Sequence, residues 1–102
     1  MYSIHWSTLS QITFAEEIEY ISKKWNQTEV DNFGLLVQEN LTRLTKSPKI
    51  GNRYSNNNVY YFVISKQTSL FYKISEDELR IDLILFWNNK KNPKTLDKYI
   101  NH

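Results

Sequence analysis

VYYFVISKQTSLFYKI (59–74), SEDE (75–78), LRIDLILFW (79–87) and NNKKNP (88–93) make up the stretch from Val59 to Pro93. Three runs rich in β-branched and aromatic residues are separated by polar breaks at Lys66-Gln67 and Glu76-Asp77. That pattern predicts three consecutive antiparallel strands. In the last run Leu79, Ile81, Leu83, Leu85 and Trp87 alternate with Arg80, Asp82, Ile84 and Phe86, which predicts one apolar face and one mixed face. Leu70, Tyr72 and Ile74 of the middle run continue the apolar row, and Ser69, Phe71 and Lys73 the mixed one. In the first run we assign Tyr60, Phe62 and Ile64 to the mixed face, and Val59, Tyr61 and Val63 to the apolar one. Phe71, Ile84, Phe86, Tyr60 and Phe62 then make more apolar surface than a small domain leaves wet, so a partner segment or the C-terminal tail is expected over it.

The segments before this stretch read as cover for its apolar face. Tyr2, Ile4 and Trp6 alternate with Ser3 and His5, a short half-buried strand. His5 lies on its polar side with no carboxylate or nucleophile nearby in sequence, so we read it as structural. From about Ser10 to Trp25, Phe14, Ile18, Ile21 and Trp25 recur on one helical face. Thr13 with Glu16, Ser7 and Ser10 are alternative caps for its start. A second helix starts at Thr28, with Asp31 in the capping-box position, and carries Val30, Phe33, Val37, Leu41 and Leu44 at helical spacing. Gly34 interrupts it, and close packing against the first helix would explain a glycine there. The helix ends near Thr45, because Pro48 pushes Ser47 out of helical geometry. Residues 46–58 read as a polar connector, in which Arg53 is the candidate binding residue.

The whole is an α+β arrangement, β-α-α-β-β-β: an antiparallel sheet covered on one face by a two-helix hairpin. At 102 residues the chain reads as a single domain, 1–102, with a basic tail at 93–102. There are no cysteines, which excludes disulfides, thiolate metal sites and cysteine nucleophiles. No metal or cofactor is expected. The first residues lack the basic and apolar runs of a signal peptide, and no apolar run is long enough to span a bilayer, so a cytoplasmic protein is expected. The two Asn-x-Thr triplets, at Asn26 and Asn40, are read as chance matches to the glycosylation pattern. A net charge of +2 does not announce nucleic-acid binding, and no sequence-specific DNA contact is expected. The charge is uneven, however. Residues 1–58 carry six lysines and arginines against six acids, while residues 88–102 carry Lys90, Lys91, Lys94 and Lys98 against Asp97 alone.

Four motifs in this order resemble the RelE/ParE toxin family, most closely its ParE-like, plasmid-stabilisation branch. They are EEIEYISKKW (16–25), the helix end LTKSPKIG (44–51), the hairpin VISKQTSLFYKI (63–74) and LFWNNKKNP (85–93). The resemblance implies a bacterial type II toxin whose growth inhibition is held in check by a cognate antitoxin. The antitoxin's extended tail would lie in grooves on the toxin, on Tyr60, Phe62, Phe71, Ile84 and Phe86.

The resemblance implies two kinds of activity. RelE-like members cut messenger RNA on the ribosome with clustered cations and often a C-terminal tyrosine. Matched by motif, their two strand lysines fall near Tyr60 and Phe62 and their arginine on Ser69. Lys90 or Lys91 matches the cation after the last strand, and Tyr99 the terminal tyrosine. A ribonuclease on this chain would therefore draw on Lys73, Arg80, Lys90 and Tyr99. ParE-like members instead poison DNA gyrase by binding, which needs a surface and no acid–base set. Arg53, Lys90 and Lys91 are the candidate target-binding residues for that role, which we take as the leading expectation. A homologue that binds antitoxin but has lost toxicity is the third possibility.

Overall fold

The computed structural model describes residues 1–55 and 57–100; Asn56 of the expected connector and residues 101–102 of the expected tail lie outside them. Strand β1 (Ser3–Trp6) leads into helices α1 (Thr8–Lys24) and α2 (Gln27–Lys46). A short 3-10 turn at Pro48–Ile50 precedes strands β2 (Asn52–Ser55), β3 (Val59–Val63), β4 (Thr68–Ser75) and β5 (Arg80–Asn88), and helix α3 (Pro93–Ile100) follows. The sheet order is β1-β5-β4-β3-β2. The predicted α+β layout holds, with two additions. Strand β2 lies within the segment read as a connector, and the basic tail forms α3. The sheet is also mixed. The β2–β3–β4–β5 pairs are antiparallel, but β1 runs parallel to β5, with Ser3 opposite Arg80 and Trp6 opposite Leu83. A hairpin enforces antiparallel pairing, whereas the long α1–α2 connection leaves β1 free to dock in either direction.

Local chemistry sets the helix ends. Ser7 caps α1, its Oγ accepting from the Ser10 amide at 2.9 Å. Asn26, not Thr28, caps α2: Asn26 Oδ1 accepts from the Glu29 amide at 3.0 Å. Asp31 accepts from Gln27 Nε2 at 2.9 Å, a pairing one turn along the helix in place of the expected capping box. Asn92 accepts from the Lys94 amide at 3.0 Å at the start of α3, and Pro93 occupies the first helical position.

The main departure from the sequence expectation is in β5. The register steps from Phe71 opposite Leu85 to Tyr72 opposite Leu83, so Ile84 is an extra residue, a bulge. The alternation of β5 inverts there. Ile81 and Leu83 face the helices, and so does Phe86, which is 2% exposed and lies against Trp6 and Phe14 at ring separations of 5.5 and 5.3 Å. Leu85 and Trp87 point to the opposite face. The continuous apolar row is thus divided between two cores. Leu79, also placed in that row, lies outside the strand in the turn, at φ 50° and half exposed.

The first strand inverts as well. Tyr60 pairs with Tyr72 and stacks on it at 5.9 Å in the helix-side core, where Phe62 also packs. Tyr61 stacks on Phe71 at 5.4 Å on the opposite face. Antiparallel pairing puts directly opposed residues on one face, and that register, not polarity, places these rings. Tyr60, Phe62 and Phe86 therefore leave the mixed face to which they were assigned; Phe71 and Ile84 stay on it. The cover expected there is α3, whose Leu96 and Ile100 pack with Val59, Phe71, Leu85 and Trp87.

The two glycines differ in what they do. Close packing does not explain Gly34, because a Cβ at that position meets nothing within 4 Å. At Gly51 a Cβ would stand 2.5 Å from the Tyr61 carbonyl oxygen and 2.6 Å from Tyr72 Oη. Tyr72 Oη donates to the Pro48 carbonyl at 2.8 Å and so holds the turn before β2 against the sheet. Gly34→Ala is expected to stabilise the chain by about 0.5–1 kcal/mol through helix propensity. Gly51→Ala is expected to destabilise it by about 1–3 kcal/mol through the clash. Urea unfolding of the two variants checks both signs.

Candidate functional site

The sequence-predicted residues fall at opposite ends of β5. At its start, Arg80 Nη1 pairs with Glu78 at 3.1 Å and Arg80 Nε with Asp82 at 3.2 Å. Lys73 stands opposite Asp82 in the β4–β5 register and is exposed. Lys90 follows the other end of the strand, roughly 25 Å away across the length of β5. The structure therefore does not gather Lys73, Arg80, Lys90 and Tyr99 around one point. Arg53 lies on β2 with its guanidinium 6.0 Å from the Tyr60 ring centre.

Lys90 and Lys91, adjacent in sequence, serve different surfaces. Lys91 Nζ lies 5.7 Å from the Trp87 ring centre, at a groove of about 500 Å³ between α1 and α3. Leu9, Ile12, Trp87 and Tyr99 supply the apolar wall of that groove, and Glu16 and Lys91 its charges. Lys90 Nζ instead reaches Tyr20 Oη on α1 at 3.5 Å, and Lys24 Nζ meets the same oxygen at 3.1 Å. Tyr20 and Lys24 were not singled out from the sequence, although their spacing of four marks a shared helical face.

The turn that carries these lysines is pinned by asparagines. The Asn89 amide donates to the Gln67 carbonyl at 2.7 Å, and Asn89 Oδ1 accepts from Ser69 Oγ at 3.0 Å. Asn88 Oδ1 accepts from the Lys90 amide at 3.0 Å. Ser69, the position matched to a nuclease arginine, is thus a buried support for this turn. Beneath it, Thr68 Oγ1 donates to the buried carboxylate of Glu17 at 2.6 Å.

Helix α3 is tied to the sheet at two points. Leu96 is 6% exposed, and the Tyr54 hydroxyl donates to the Asp97 carboxylate. That bond, with burial second, raises the Tyr54 pKa to about 12; burial raises Tyr72 to about 12 as well. Among the described residues no group of three or more His, Cys, Asp or Glu stands close enough to hold a metal ion. Among the same residues no helix is long and apolar enough to cross a membrane.

This architecture, a helical hairpin on one face of a mixed five-stranded sheet with a third helix on the other, superposes on RelE toxin structures. The isolated E. coli RelE toxin superposes with a TM-score of 0.62 at 12% identity, over 99% of this chain and 98% of that one. A chain of the intact E. coli RelBE toxin–antitoxin complex gives 0.61 at 13% identity, over 86% of this chain and 96% of that one. A chain of the RelBE2 toxin–antitoxin complex from Mycobacterium tuberculosis gives 0.59 at 11%, over 85% and 96%. At these identities the fold is what is shared. No protein-family model matches the sequence, and no curated protein matches it.

Two measurements follow from the attachment of α3. Truncating Leu96 to alanine removes its main apolar anchor, and should cost about 2 kcal/mol of docking. Amide exchange across Pro93–Ile100 should then quicken about 30-fold while β4 and β5 keep their protection. The second concerns pH. Tyr54 and Tyr72 keep their protons in the folded chain up to about 12, against an ordinary value of 10.0. The unfolded chain releases them first, so stability complete below pH 10 falls as pH rises toward 12. Tyr54→Phe should make that alkaline fall shallower and remove one late step from the tyrosinate absorbance titration.

Proposed function

We propose that this chain is the toxin of a bacterial toxin–antitoxin pair, works in the cytoplasm, and acts by binding its target rather than by cutting RNA. One observation carries the preference for binding. The positions matched to a nuclease's strand cations carry Tyr60 and Phe62, packed in the helix-side core, and Ser69, which is buried. The cations themselves are dispersed, and Arg80 is neutralised by Glu78 and Asp82. Cleavage that relies on side-chain cations needs them convergent on one phosphate. Binding needs only a complementary surface, and the sequence motifs resemble the branch whose target is DNA gyrase. Arg53 and Lys91 remain the proposed target contacts.

The antitoxin is the proposed occupant of the groove between α1 and α3, where Ile12 is 51% and Tyr99 48% exposed. An amphipathic segment fits such a groove by its apolar face. The fold likeness to chains of two toxin–antitoxin complexes supports a partner of that kind. RNA cleavage is kept as a second reading because Lys90 does meet another cation, Lys24, around a phenol.

Controlled expression in bacteria tests the proposal. Growth should stop, with intact messenger RNA and an induced DNA-damage response, and co-expression of the antitoxin should restore it. Messenger RNA cut at codon-length intervals would overturn the binding mechanism in favour of the nuclease, and Lys90→Ala should then abolish cutting. Unimpaired growth would leave a non-toxic antitoxin-binding homologue.

A further inference from the structure

Two lysines from distant parts of the chain reach one phenol oxygen. Lys24 Nζ, in the last turn of α1, stands 3.1 Å from Tyr20 Oη, and Lys90 Nζ, on the turn after β5, stands 3.5 Å from it. Both contacts lie at the surface, so a reagent can reach the oxygen. A phenol oxygen that accepts from two ammonium groups is placed for negative charge, because both bonds strengthen as that charge develops. The ion pairs among the described residues include neither lysine, whereas the adjacent Lys23 is held by Glu19 at 2.7 Å.

The three groups are held in this arrangement by their neighbours. The Tyr20 ring meets the Trp25 ring edge-on at 6.4 Å, and Lys24 Nζ lies 5.0 Å from the Trp25 ring centre. The Lys90 amide donates to Asn88 Oδ1 at 3.0 Å, and the Asn89 amide fixes the same turn on the Gln67 carbonyl. Other tyrosines are set the opposite way. Tyr54 donates its proton to Asp97 and Tyr72 to the Pro48 carbonyl, and both keep that proton up to about 12. At Tyr20 the hydrogen bond from Lys24 holds the phenol below its ordinary value of 10.0; desolvation opposes this, and the Lys90 bond adds to it.

We propose that Tyr20 is a modification site, a phenol that accepts a phosphoryl group and holds it as a phosphate ester between Lys24 and Lys90. A cation beside the oxygen favours the phenolate, which is the nucleophilic form. The product selects the group transferred. A phosphate monoester brings close to two negative charges to the two ammonium groups, whereas an acyl or sulfonyl ester is neutral and leaves them without a counter-charge. The donor is a nucleoside triphosphate presented by a separate protein kinase. A bond forms from Tyr20 Oη to the terminal phosphorus, and the bond from that phosphorus to its bridging oxygen breaks. The nucleoside diphosphate leaves with the electron pair, and the phenolic proton passes to solvent. The phosphate then ties α1 to the turn after β5. The site lies apart from the α1/α3 groove and does not depend on the toxin reading.

The test has two arms, both on the full chain. In the first, phosphotyrosine is installed at position 20 by codon reassignment, and its phosphorus resonance is titrated in the folded chain and in concentrated urea. The unfolded phosphate should titrate near the usual value of about 6, and the folded one about one pH unit lower. Lys24→Ala and Lys90→Ala should each remove about half of that lowering. In the second arm the unmodified chain meets an aryl sulfonyl fluoride, whose sulfur takes the phenolate oxygen and releases fluoride. Peptide mapping should find Tyr20 labelled about five-fold faster than Tyr99, which is 48% exposed. Lys24→Ala should slow Tyr20 about five-fold and move its pH profile upward, because the phenol regains its ordinary range. Lys23→Ala, whose lysine is already paired, should change neither arm. A folded phosphate that titrates as it does in urea, labelling of Tyr99 or of the lysines ahead of Tyr20, or an equal loss from Lys23→Ala would overturn the site. A chain that arrests growth yet fails both arms would keep the toxin reading and lose this one.

Discussion

The bulge at Ile84 is the constraint on which the rest of the structure depends. An extra residue in a central strand leaves backbone groups without their ladder partners, and buried unpaired groups are costly. The start of α1 supplies the partners. Ser7 Oγ donates to the Ile84 carbonyl at 3.1 Å, and Thr13 Oγ1 accepts from the Phe86 amide at 2.9 Å. Thr13 donates in turn to the Leu9 carbonyl at 2.8 Å, and Ser7 also caps α1. Two hydroxyls therefore start the helix, fix its position on the sheet and satisfy the bulge.

The two-sided core follows from that inversion. Before the bulge, β5 turns Ile81 and Leu83 toward the helical hairpin; after it, Leu85 and Trp87 turn toward α3 while Phe86 joins Trp6 and Phe14. A regular strand would have sent all four of Ile81, Leu83, Leu85 and Trp87 to one face. Helix α3 would then have met Ile84 and Phe86, with no Trp87 beneath it. The third helix and the groove beside it exist because the strand changes face in the middle.

The positions of α1, α2 and four of the five strands were legible in the sequence, because periodicity and turn residues report them directly, whereas α3 was read only as a basic tail. Facing was legible only where polarity alternates. In β4, Ser69 and Lys73 mark one side, and Leu70, Tyr72 and Ile74 lie on the other, as read. In β3 all five residues from Val59 to Val63 are apolar or aromatic, so polarity could not tell one side from the other. In β5 the run from Leu83 to Trp87 is apolar throughout, so one extra residue leaves no trace in its pattern. The strand at Asn52–Ser55 was missed for the opposite reason: a polar edge strand composes like a loop. The cap of α2 went to Asn26 because several capping residues stood side by side and only geometry separates them.

Charge clustering along a chain is a poor guide to charge clustering in space. The local excess at Lys90, Lys91, Lys94 and Lys98 suggested one basic tail, yet a one-residue step past the end of β5 sends Lys90 to α1 and Lys91 to the α3 groove. Lys90 finds its companion in Lys24, a residue 66 positions earlier in the chain. Asn89 holds this division in place by tying the turn to Gln67 and Ser69. The chain thus shares the RelE toxin fold while keeping Lys73 and Arg80 at one end of β5 and Lys90 and Lys91 at the other. Beneath α3 lies apolar contact, and at the end of α1 two lysines meet around the Tyr20 hydroxyl beside an exposed indole. Lysines that cluster in the sequence are thus divided by the fold between two separate surfaces.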